Sequence, residues 1–270
     1  ATHCADTDLD VVIIDENRYA GGSLDFMHAG DEQAQSFREA ALKRIDLADN
    51  VELLTDACAG ACYDRYTVPV VTLRGVSLIQ SRAIVFATGV IEQPAVFRNN
   101  DLPGVMMATA AQRLIQRYAV APCDTCVVLT ANDEGYRAAL DYAEADIRVA
   151  AVVDMRAETP PNALTQELLA RGVQLIPNAH VDEARAKRGH LASVVIHSND
   201  QTVVQEIVCD SLMMSIGWAP AGSLVYQAGG RFSYDDEIHQ IVPVSLPGGV
   251  FLAGRLNGLF SLSDRVADGR

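Results

Sequence analysis

The stretch LDVVIIDE, residues 9–16, places four consecutive β-branched residues directly before two acids. A short, continuous run of Val and Ile is typical of a strand that is buried in a parallel sheet. In dinucleotide-binding βαβ units, an acid at the end of the second strand accepts hydrogen bonds from ribose hydroxyls. Asp15 and Glu16 occupy that position, so the stretch predicts the ribose-side edge of a nucleotide site. Taken alone, it is also explained by a solvated strand end.

The phosphate-binding glycines that accompany such an acid would lie upstream of this sequence. The glycine fingerprint precedes the acid by about twenty residues, which places it before Ala1. We therefore expect the chain to begin within the crossover helix, after the phosphate loop. Arg270 falls within a predicted helix as well, so both ends are expected to be internal points of a longer polypeptide.

Strand and helix patterns alternate along the rest of the chain. Buried strands are predicted at 51–54, 81–87, 125–130, 148–154, 211–216 and 249–253. Helices are predicted at 33–47, 109–118, 134–145 and 164–171, and a β pair at 191–197 with 203–209. This alternation predicts an α/β architecture with parallel sheets.

Two further strand ends carry a glycine where the backbone must pass close to a ligand. Ala87-Thr88-Gly89 ends one strand, and Phe251-Leu252-Ala253-Gly254 ends another, followed by Asn257-Gly258 and a helix. A helix N-terminus offers N–H groups without partners in the helix, and glycine admits a ligand to the backbone. Together with Asp15, these ends favour one cofactor cleft built from distant segments.

The second strand–helix alternation lacks such glycines. After strand 125–130 the sequence continues as Ala131-Asn132-Asp133-Glu134-Gly135, with one glycine and two acids where a GxGxxG would lie. The acids would repel a pyrophosphate, and the side chains would obstruct it. We expect this unit to keep the topology without binding a cofactor.

Charge and composition argue against several functions. The formal net charge of −14, with a pI near 4.7, repels phosphate backbones, so nucleic-acid binding is not expected. No apolar run approaches the ~20 residues that cross a bilayer, so no membrane segment is expected. The six histidines show no metal-ligand spacing, and neither a catalytic residue nor a metal site is predicted.

Six cysteines are scattered along the chain, and Cys123 with Cys126 forms a CxxC motif. A zinc site would need a second pair at similar spacing, whereas Cys58 and Cys62 have three residues between them and no nearby His. A thioredoxin-like pair lies where a strand meets a helix, but Cys126 opens a strand. Structural cysteines in a reducing cytoplasm are therefore expected, and the role of the CxxC stays open.

Several motifs taken together resemble the alpha subunits of heterotetrameric sarcosine oxidases. They are VIIDENRYAGGS at 12–23, ATGVIEQPAVFRNNDLPGVMMATAAQRLIQRYAV at 87–120, TAND at 130–133, YRAAL at 136–140, GWAPAGSLVYQAGG at 217–230 and VFLAGRLNGLFSL at 250–262. The resemblance covers nearly the whole chain, and its motifs are specific as a set.

The resemblance implies a glutathione reductase-like arrangement of two Rossmann-like dinucleotide-binding domains, the second inserted into the first. The first domain would comprise residues 1–120 and 240–270, without its phosphate loop. The degenerate insert would comprise residues 121–239. NAD would bind in the first domain, with FAD as an alternative occupant. A ferredoxin-like domain and a folate-binding domain would lie outside this chain.

The resemblance also implies an activity of an assembled complex rather than of this chain alone. Sarcosine would be oxidised to glycine at an FAD on the beta subunit. Electrons would reach oxygen through an FMN near the alpha–beta boundary, giving hydrogen peroxide. Gamma- and delta-type subunits would complete the complex. Related complexes that oxidise opines, hydroxyproline or glycine remain alternatives, as does a cofactor-free scaffold.

Carried over by motif, the cofactor contacts lie on the ribose side, at the adenine, along the middle and at the far end of a dinucleotide. In that order they are Asp15, Glu16, Asn17, Gly22 and Ser23; Ala59; Thr88 and Gly89; and Ala253, Gly254, Gly258 and Leu259. The sequence offers no explanation for Arg255 beside the last of these segments.

Overall fold

A computed structural model of the chain describes residues 2–27, 31–200 and 204–269. Its strands are β1 (Val11–Ile14), β2 (Val51–Leu54), β3 (Cys58–Ala59), β4 (Thr67–Thr72), β5 (Gly75–Gln80), β6 (Ile84–Phe86), β7 (Val90–Glu92), β8 (Val105–Met107), β9 (Thr125–Thr130), β10 (Arg148–Asp154), β11 (Gln174–Ile176), β12 (Ala179–Lys187), β13 (His190–Ser198), β14 (Val204–Val208), β15 (Ser211–Ser215), β16 (Trp218–Pro220), β17 (Arg231–Asp235), β18 (Gln240–Ser245) and β19 (Val250–Leu252). Its α-helices are α1 (Glu32–Asp46), α2 (Ala108–Tyr118), α3 (Asp133–Glu144), α4 (Ala163–Ala170), α5 (Ser223–Gln227) and α6 (Leu262–Asp268).

The chain divides into two compact units. Unit 1 consists of Ala1–Asp25, Glu32–Ile91 and Trp218–Arg270, and unit 2 consists of Phe26–Asp31 and Glu92–Gly217. The main divisions therefore fall near residues 91 and 217, whereas the sequence predicted domain boundaries near 120 and 240. Residues 92–120 fall in unit 2 because β8 pairs with β15 in the sheet of that unit.

Unit 2 is built on a five-stranded sheet in the order β11-β10-β9-β15-β8, with every pair parallel. Alternate residues of β9 point to opposite faces, as the period of a strand requires. Val127 and Leu129 pack into one buried cluster, and Cys126 and Val128 pack into another. Both faces of this sheet are thus covered, which explains the continuous apolar sequence of β9.

The two covers of this sheet differ. On one face lie side chains from α2 and α3, including Ala111 and Tyr136. On the other face lie side chains from the antiparallel sheet β12-β13-β14, including Val181 and Val194. The β pair predicted at 191–197 with 203–209 is confirmed as β13 with β14, although Val203 lies outside the described residues.

Unit 1 contains several small sheets. Strands β1 and β2 form a parallel pair, and β6 and β19 form a second parallel pair. An antiparallel sheet in the order β3-β4-β5 and the antiparallel pair β17-β18 complete most of the unit. The chain leaves unit 1 through β7 and returns through β16, and these two strands pair with each other.

The predicted strands at 51–54, 125–130 and 148–154 are confirmed to the residue, and the predicted helices begin and end within one residue of those observed. Within the described part of the chain, no helix is long and apolar enough to cross a membrane.

Candidate functional site

The predicted ribose-side acid lies directly after β1, at the carboxyl end of the parallel pair β1-β2. The backbone N–H of Asp15 donates to the carbonyl of Leu54 at 2.9 Å, which extends the pairing by one residue. The backbone N–H and the side-chain amide of Asn17 both donate to Asp15 Oδ1, each at 2.9 Å. Asp15 is half-buried and Glu16 is exposed. The carboxylate is therefore oriented by its neighbour at the edge of the sheet.

The turn that follows is held by a residue of α1. Gly21 has φ +125, and a Cβ there would lie 2.4 Å from Arg38 Nε, so only glycine allows this approach. The Arg38 guanidinium donates to the Ala20 carbonyl at 3.2 Å and to Asp25 Oδ1 at 2.7 Å. Gly22 also has a positive φ of 59 and faces open space where a Cβ would be. Arg38 thus fixes the segment in which Gly22 and Ser23 lie.

The two glycine-containing strand ends lie side by side. Strands β6 and β19 are parallel, with Phe86 opposite Leu252. The backbone N–H of Ala253 then donates to the Phe86 carbonyl at 3.0 Å. Gly89 has φ +73, and a Cβ at that position would contact nothing within 4 Å. The segments Ala87–Gly89 and Ala253–Gly254 therefore meet at one sheet edge.

Thr88 is tied to the segment that re-enters unit 1. Its hydroxyl donates to the Ala221 carbonyl at 2.7 Å, and the Ala221 N–H donates to the Gly89 carbonyl at 3.0 Å. This pair of bonds fixes the backbone of the loop after β6.

The last predicted segment is a short turn closed by α6. Gly254, at φ +76, donates its N–H to Asp268 Oδ2 at 2.8 Å, and Asn257 donates its amide to Asp268 Oδ1 at 3.1 Å. Gly258 ends the turn at φ +80, and Leu259 donates its N–H to the Gly254 carbonyl at 3.3 Å. Asp268 therefore organises the far end of the predicted site.

Helix α6 also connects this turn to the segment after β1. Arg265 Nη1 donates to the Ser23 hydroxyl at 3.4 Å, three residues before Asp268 on the same helix. Neither Arg265 nor Asp268 is predicted as a site residue from the sequence. The only available signal was a helix directly after the glycine turn, and its side chains follow no motif.

The hydrogen bonds described above do not link Ala59 to the other predicted site residues. Ala59 lies in β3 and pairs with Val70 of β4 in an antiparallel sheet. Ala57, two residues earlier, donates its N–H to the Asp15 carbonyl at 3.1 Å, so the chain is joined to the acid just before β3.

Arg255 now has a structural explanation. Its guanidinium carbon lies 5.2 Å from the ring centre of Trp218 and 5.6 Å from that of Phe260. The residue is buried, and cation–π contact with two rings accounts for a cation at this position. Arg255 thus supports the turn from within the unit.

A cleft of about 500 Å³ lies beside the Ser23 contact. Helices α1 and α6 line it with apolar side chains, among them Phe37 and Val266, and with the cations Arg44 and Arg265. Gly21 and Leu24 close one side. None of the predicted site residues lines this cleft, so it is not the predicted cofactor site.

The corresponding position in unit 2 is filled by the protein's own side chains. Asp154 ends β10, as Asp15 follows β1, but its carboxylate is fully buried. Tyr136 donates its hydroxyl to Asp154 Oδ2 at 2.7 Å, and Arg156 donates to both carboxylate oxygens at 2.8–3.1 Å. Burial and the bond to Asp154 raise the pKa of Tyr136 well above its usual value, so the phenol stays a donor.

The loop before α3 is likewise satisfied internally. Asn132 is the N-cap, and its side-chain oxygen accepts from the N–H groups of Glu134 and Gly135 at 3.0 and 3.4 Å. These are the N–H groups that a phosphate would use in a binding loop. Asp133 forms an ion pair with Arg156 at 2.9 Å.

Comparison with solved structures defines the class of fold. Thioredoxin reductase from T. acidophilum superposes with a TM-score of 0.72 at 16% identity, over 97% of this chain and 94% of that chain. L-proline dehydrogenase from P. horikoshii superposes with a TM-score of 0.68 at 21% identity, over 95% of this chain and 47% of that one. The chain thus has the α/β fold of these proteins, which confirms the predicted fold class.

The sequence comparisons identify the particular relatives. The sarcosine oxidase alpha subunit of Corynebacterium sp. (strain P-1) is 31% identical over 284 residues, which cover 96% of this chain and 29% of that protein. An opine oxidase subunit from Agrobacterium tumefaciens (strain Ach5) is 23% identical over 96% of this chain and 59% of that protein. No family model matches the sequence. The chain is thus a homologue of sarcosine oxidase alpha subunits, as predicted, and spans less than a third of the length of that first relative.

Proposed function

We propose that this chain is the dinucleotide-binding portion of an oxidoreductase alpha subunit that works in a multi-subunit sarcosine-oxidising complex. The main support is the hydrogen bond from the Ala253 N–H to the Phe86 carbonyl. This bond places Gly89 and Gly254 at the same carboxyl edge of two parallel strands. Ligands of α/β sheets bind outside the carboxyl ends of their strands. Homology to sarcosine oxidase alpha subunits supports the assignment.

We infer that the dinucleotide is NAD, with FAD as the alternative occupant. Asp15 would accept hydrogen bonds from the ribose hydroxyls, in the orientation that Asn17 imposes on its carboxylate. The residues present fit such a group, since a Cβ at Gly22 or Gly89 would meet only open space. Glu16, Asn17 and Ser23 would complete the ribose side.

When bound, such a cofactor accepts or passes on a hydride or electrons, and this chain's residues hold it in place. Asp268 would fix the Gly254 turn at its far end, and Arg265 would place positive charge near the ribose side. The oxidation of sarcosine to glycine, with peroxide formation, is assigned to the assembled complex with its own FAD and FMN. No residue of this chain is assigned a catalytic role.

Exposed apolar side chains on β6 and β19 of unit 1 support the proposal that further protein covers this face. Val85 of β6 and Phe251 of β19 are paired across the parallel strands and are 62% and 54% exposed. Neighbouring exposed apolar side chains contribute to an apolar surface, and large surfaces of this kind mark contacts with other protein. Beta-, gamma- and delta-type subunits, or further parts of the alpha chain, would supply that cover.

A second candidate is the equivalent subunit of an opine-oxidising complex. The homology to the opine oxidase subunit favours it, because it extends over more than half of that relative. Substrate choice would then lie in a partner protein of the complex. Assay of the purified complex with sarcosine, opines, hydroxyproline and glycine decides between them, and peroxide release from opines alone would exclude sarcosine.

The nucleotide assignment is tested by calorimetric titration of the full-length subunit with NAD and with FAD. We expect Asp15→Asn to weaken binding at least about tenfold, because a charged acceptor of ribose hydrogen bonds becomes neutral. Asp49→Asn, at an exposed carboxylate, should leave the affinity unchanged. A full-length subunit that binds neither cofactor would establish the scaffold alternative.

A further inference from the structure

Three cysteines of unit 2 lie together at the amino-terminal ends of β9 and β15. Cys126 is in β9 and is fully buried, and Cys123 lies three residues earlier and is half-buried. Cys209 lies two residues before β15, which pairs with β9 so that Ser211 is opposite Cys126. The nucleotide site proposed above uses none of these residues.

The backbone between the first two cysteines is held by one carboxylate. Asp210 accepts hydrogen bonds from the N–H groups of Asp124 and Thr125, at 3.0 and 2.8 Å. Asp210 thus fixes the two middle residues of the CxxC, and Cys123 packs against the same buried cluster that contains Cys126.

The two thiols have different ionisation. The hydrogen bond from Cys126 lowers the pKa of Cys123, and the same bond together with burial raises the pKa of Cys126. Burial raises the pKa of Cys209 to about 12. The thiolate, which is the reactive form of cysteine, therefore belongs to Cys123, and this residue is also the one that solvent reaches.

We propose that Cys123 and Cys126 are a peroxide-oxidised thiol pair, with Cys123 as the attacking cysteine and Cys126 as the resolving one. Among the described residues, no group of three or more His, Cys, Asp or Glu side chains is placed to hold a metal ion. The pair is thus assigned to thiol oxidation rather than to metal binding. This assignment does not depend on the proposed nucleotide function.

The reaction takes two steps. The Cys123 sulfur attacks one oxygen of hydrogen peroxide, so that an S–O bond forms, the O–O bond breaks and the second oxygen leaves as hydroxide, which is protonated to water. The Cys126 sulfur then attacks the Cys123 sulfenic sulfur, an S–S bond forms, and hydroxide leaves and takes the Cys126 proton. Two thiols and one peroxide become one disulfide and two waters.

The test is peroxide treatment of the folded protein, followed by alkylation of the remaining thiols and peptide mass spectrometry. We expect Cys123 and Cys126 to lose alkylation together and to appear in one disulfide-containing peptide that has lost two hydrogens. Cys58→Ser, at an exposed cysteine outside the cluster, should leave the yield of this disulfide unchanged.

Variants assign the order of the two cysteines. Cys126→Ser should stop at a sulfenic acid on Cys123 that a dimedone-type reagent traps, and Cys209→Ser should still form the disulfide. Cys123→Ser, at a half-buried position outside the strand, is expected to fold and to leave Cys126 reduced. A Cys123 that stays alkylatable while peroxide oxidises Cys58, or that pairs with Cys209 instead, would overturn the proposal.

Discussion

Arg156 makes a forked ion pair with the buried Asp154 at the carboxyl end of β10, with Nη2 and Nε donating to the carboxylate at 2.8 and 3.1 Å. In a nucleotide-binding unit, an acid at this position would accept hydrogen bonds from the ribose hydroxyls. Here both oxygens are engaged within the protein, and Tyr136 adds a third donor. Unit 2 therefore keeps the strand–helix topology while its own side chains occupy the ligand position.

We predict that Arg156→Met destabilises the protein by about 3 kcal/mol, because it leaves a buried carboxylate without its cation. Chemical unfolding at neutral pH measures this loss. Arg171→Met is the matched control, since Arg171 pairs with the exposed Glu167 on α4. The control should cost no more than about 0.5 kcal/mol. Equal effects of the two variants would contradict the role of the buried pair.

Gly135→Ala tests the close approach between α3 and β9. A Cβ at Gly135 would lie 2.2 Å from Thr130 Oγ1 and 2.4 Å from Thr130 Cβ. Thr130 is buried and its hydroxyl donates to the Ser215 carbonyl, so it cannot move aside without losing that bond. We expect a loss of at least about 2 kcal/mol in the free energy of unfolding.

The control for this variant is Gly217→Ala, where a Cβ would meet nothing within 4 Å. That substitution should change the free energy of unfolding by less than about 0.5 kcal/mol. If Gly135→Ala were as mild, the tight helix–strand packing would not be a constraint on the fold.

Asp141 makes the free energy of unfolding depend on pH. Burial raises the pKa of Asp141 to about 6, while the amide of Gln112 donates to its carboxylate at 2.5 Å. Because the folded pKa lies above the unfolded value of 3.8, this contribution is complete at low pH and is lost as the pH rises through 6.

Asp141→Asn removes this titration and keeps a group that can accept from Gln112. We expect the variant to match the wild type at about pH 4 and to be more stable by roughly 1–3 kcal/mol at about pH 8. Denaturant unfolding at both pH values measures the difference. A gain that is the same at both would show that Asp141 does not titrate between them.

The parts of the fold with continuous apolar strands were predictable from the sequence. Strands β9 and β10 are covered on both faces, so their central residues, 126–129 and 149–153, are all apolar. Strand β12 was missed because its sequence, AHVDEARAK, places its buried side on small residues such as Ala179 and Ala184 between charges. The compact units divide at β7 and β16, and these strands of three residues each carry little pattern in the sequence.

The candidate site was predictable only where a side chain or glycine follows a strand directly. Asp15, Gly89 and Gly254 carry that signal, because the end of a strand fixes the position of the residues that follow it. Arg265 and Asp268 do not, because their role depends on how α6 packs against segments distant in sequence. In unit 2, the pairing of Asp154 with a side chain of the protein depends in the same way on Arg156, which lies two residues beyond β10.

We propose that unit 1 holds a dinucleotide and that unit 2 does not, and hydrogen exchange of the full-length subunit with and without NAD distinguishes the two units. We predict that NAD slows exchange in peptides covering Asp15–Ser23, Thr88–Gly89 and Ala253–Leu259, with no change in peptides covering Thr130–Gly135 or Asp154–Arg156. Protection of Thr130–Gly135, with the Asp15 segment unchanged, would place NAD in unit 2 and overturn the assignment to unit 1.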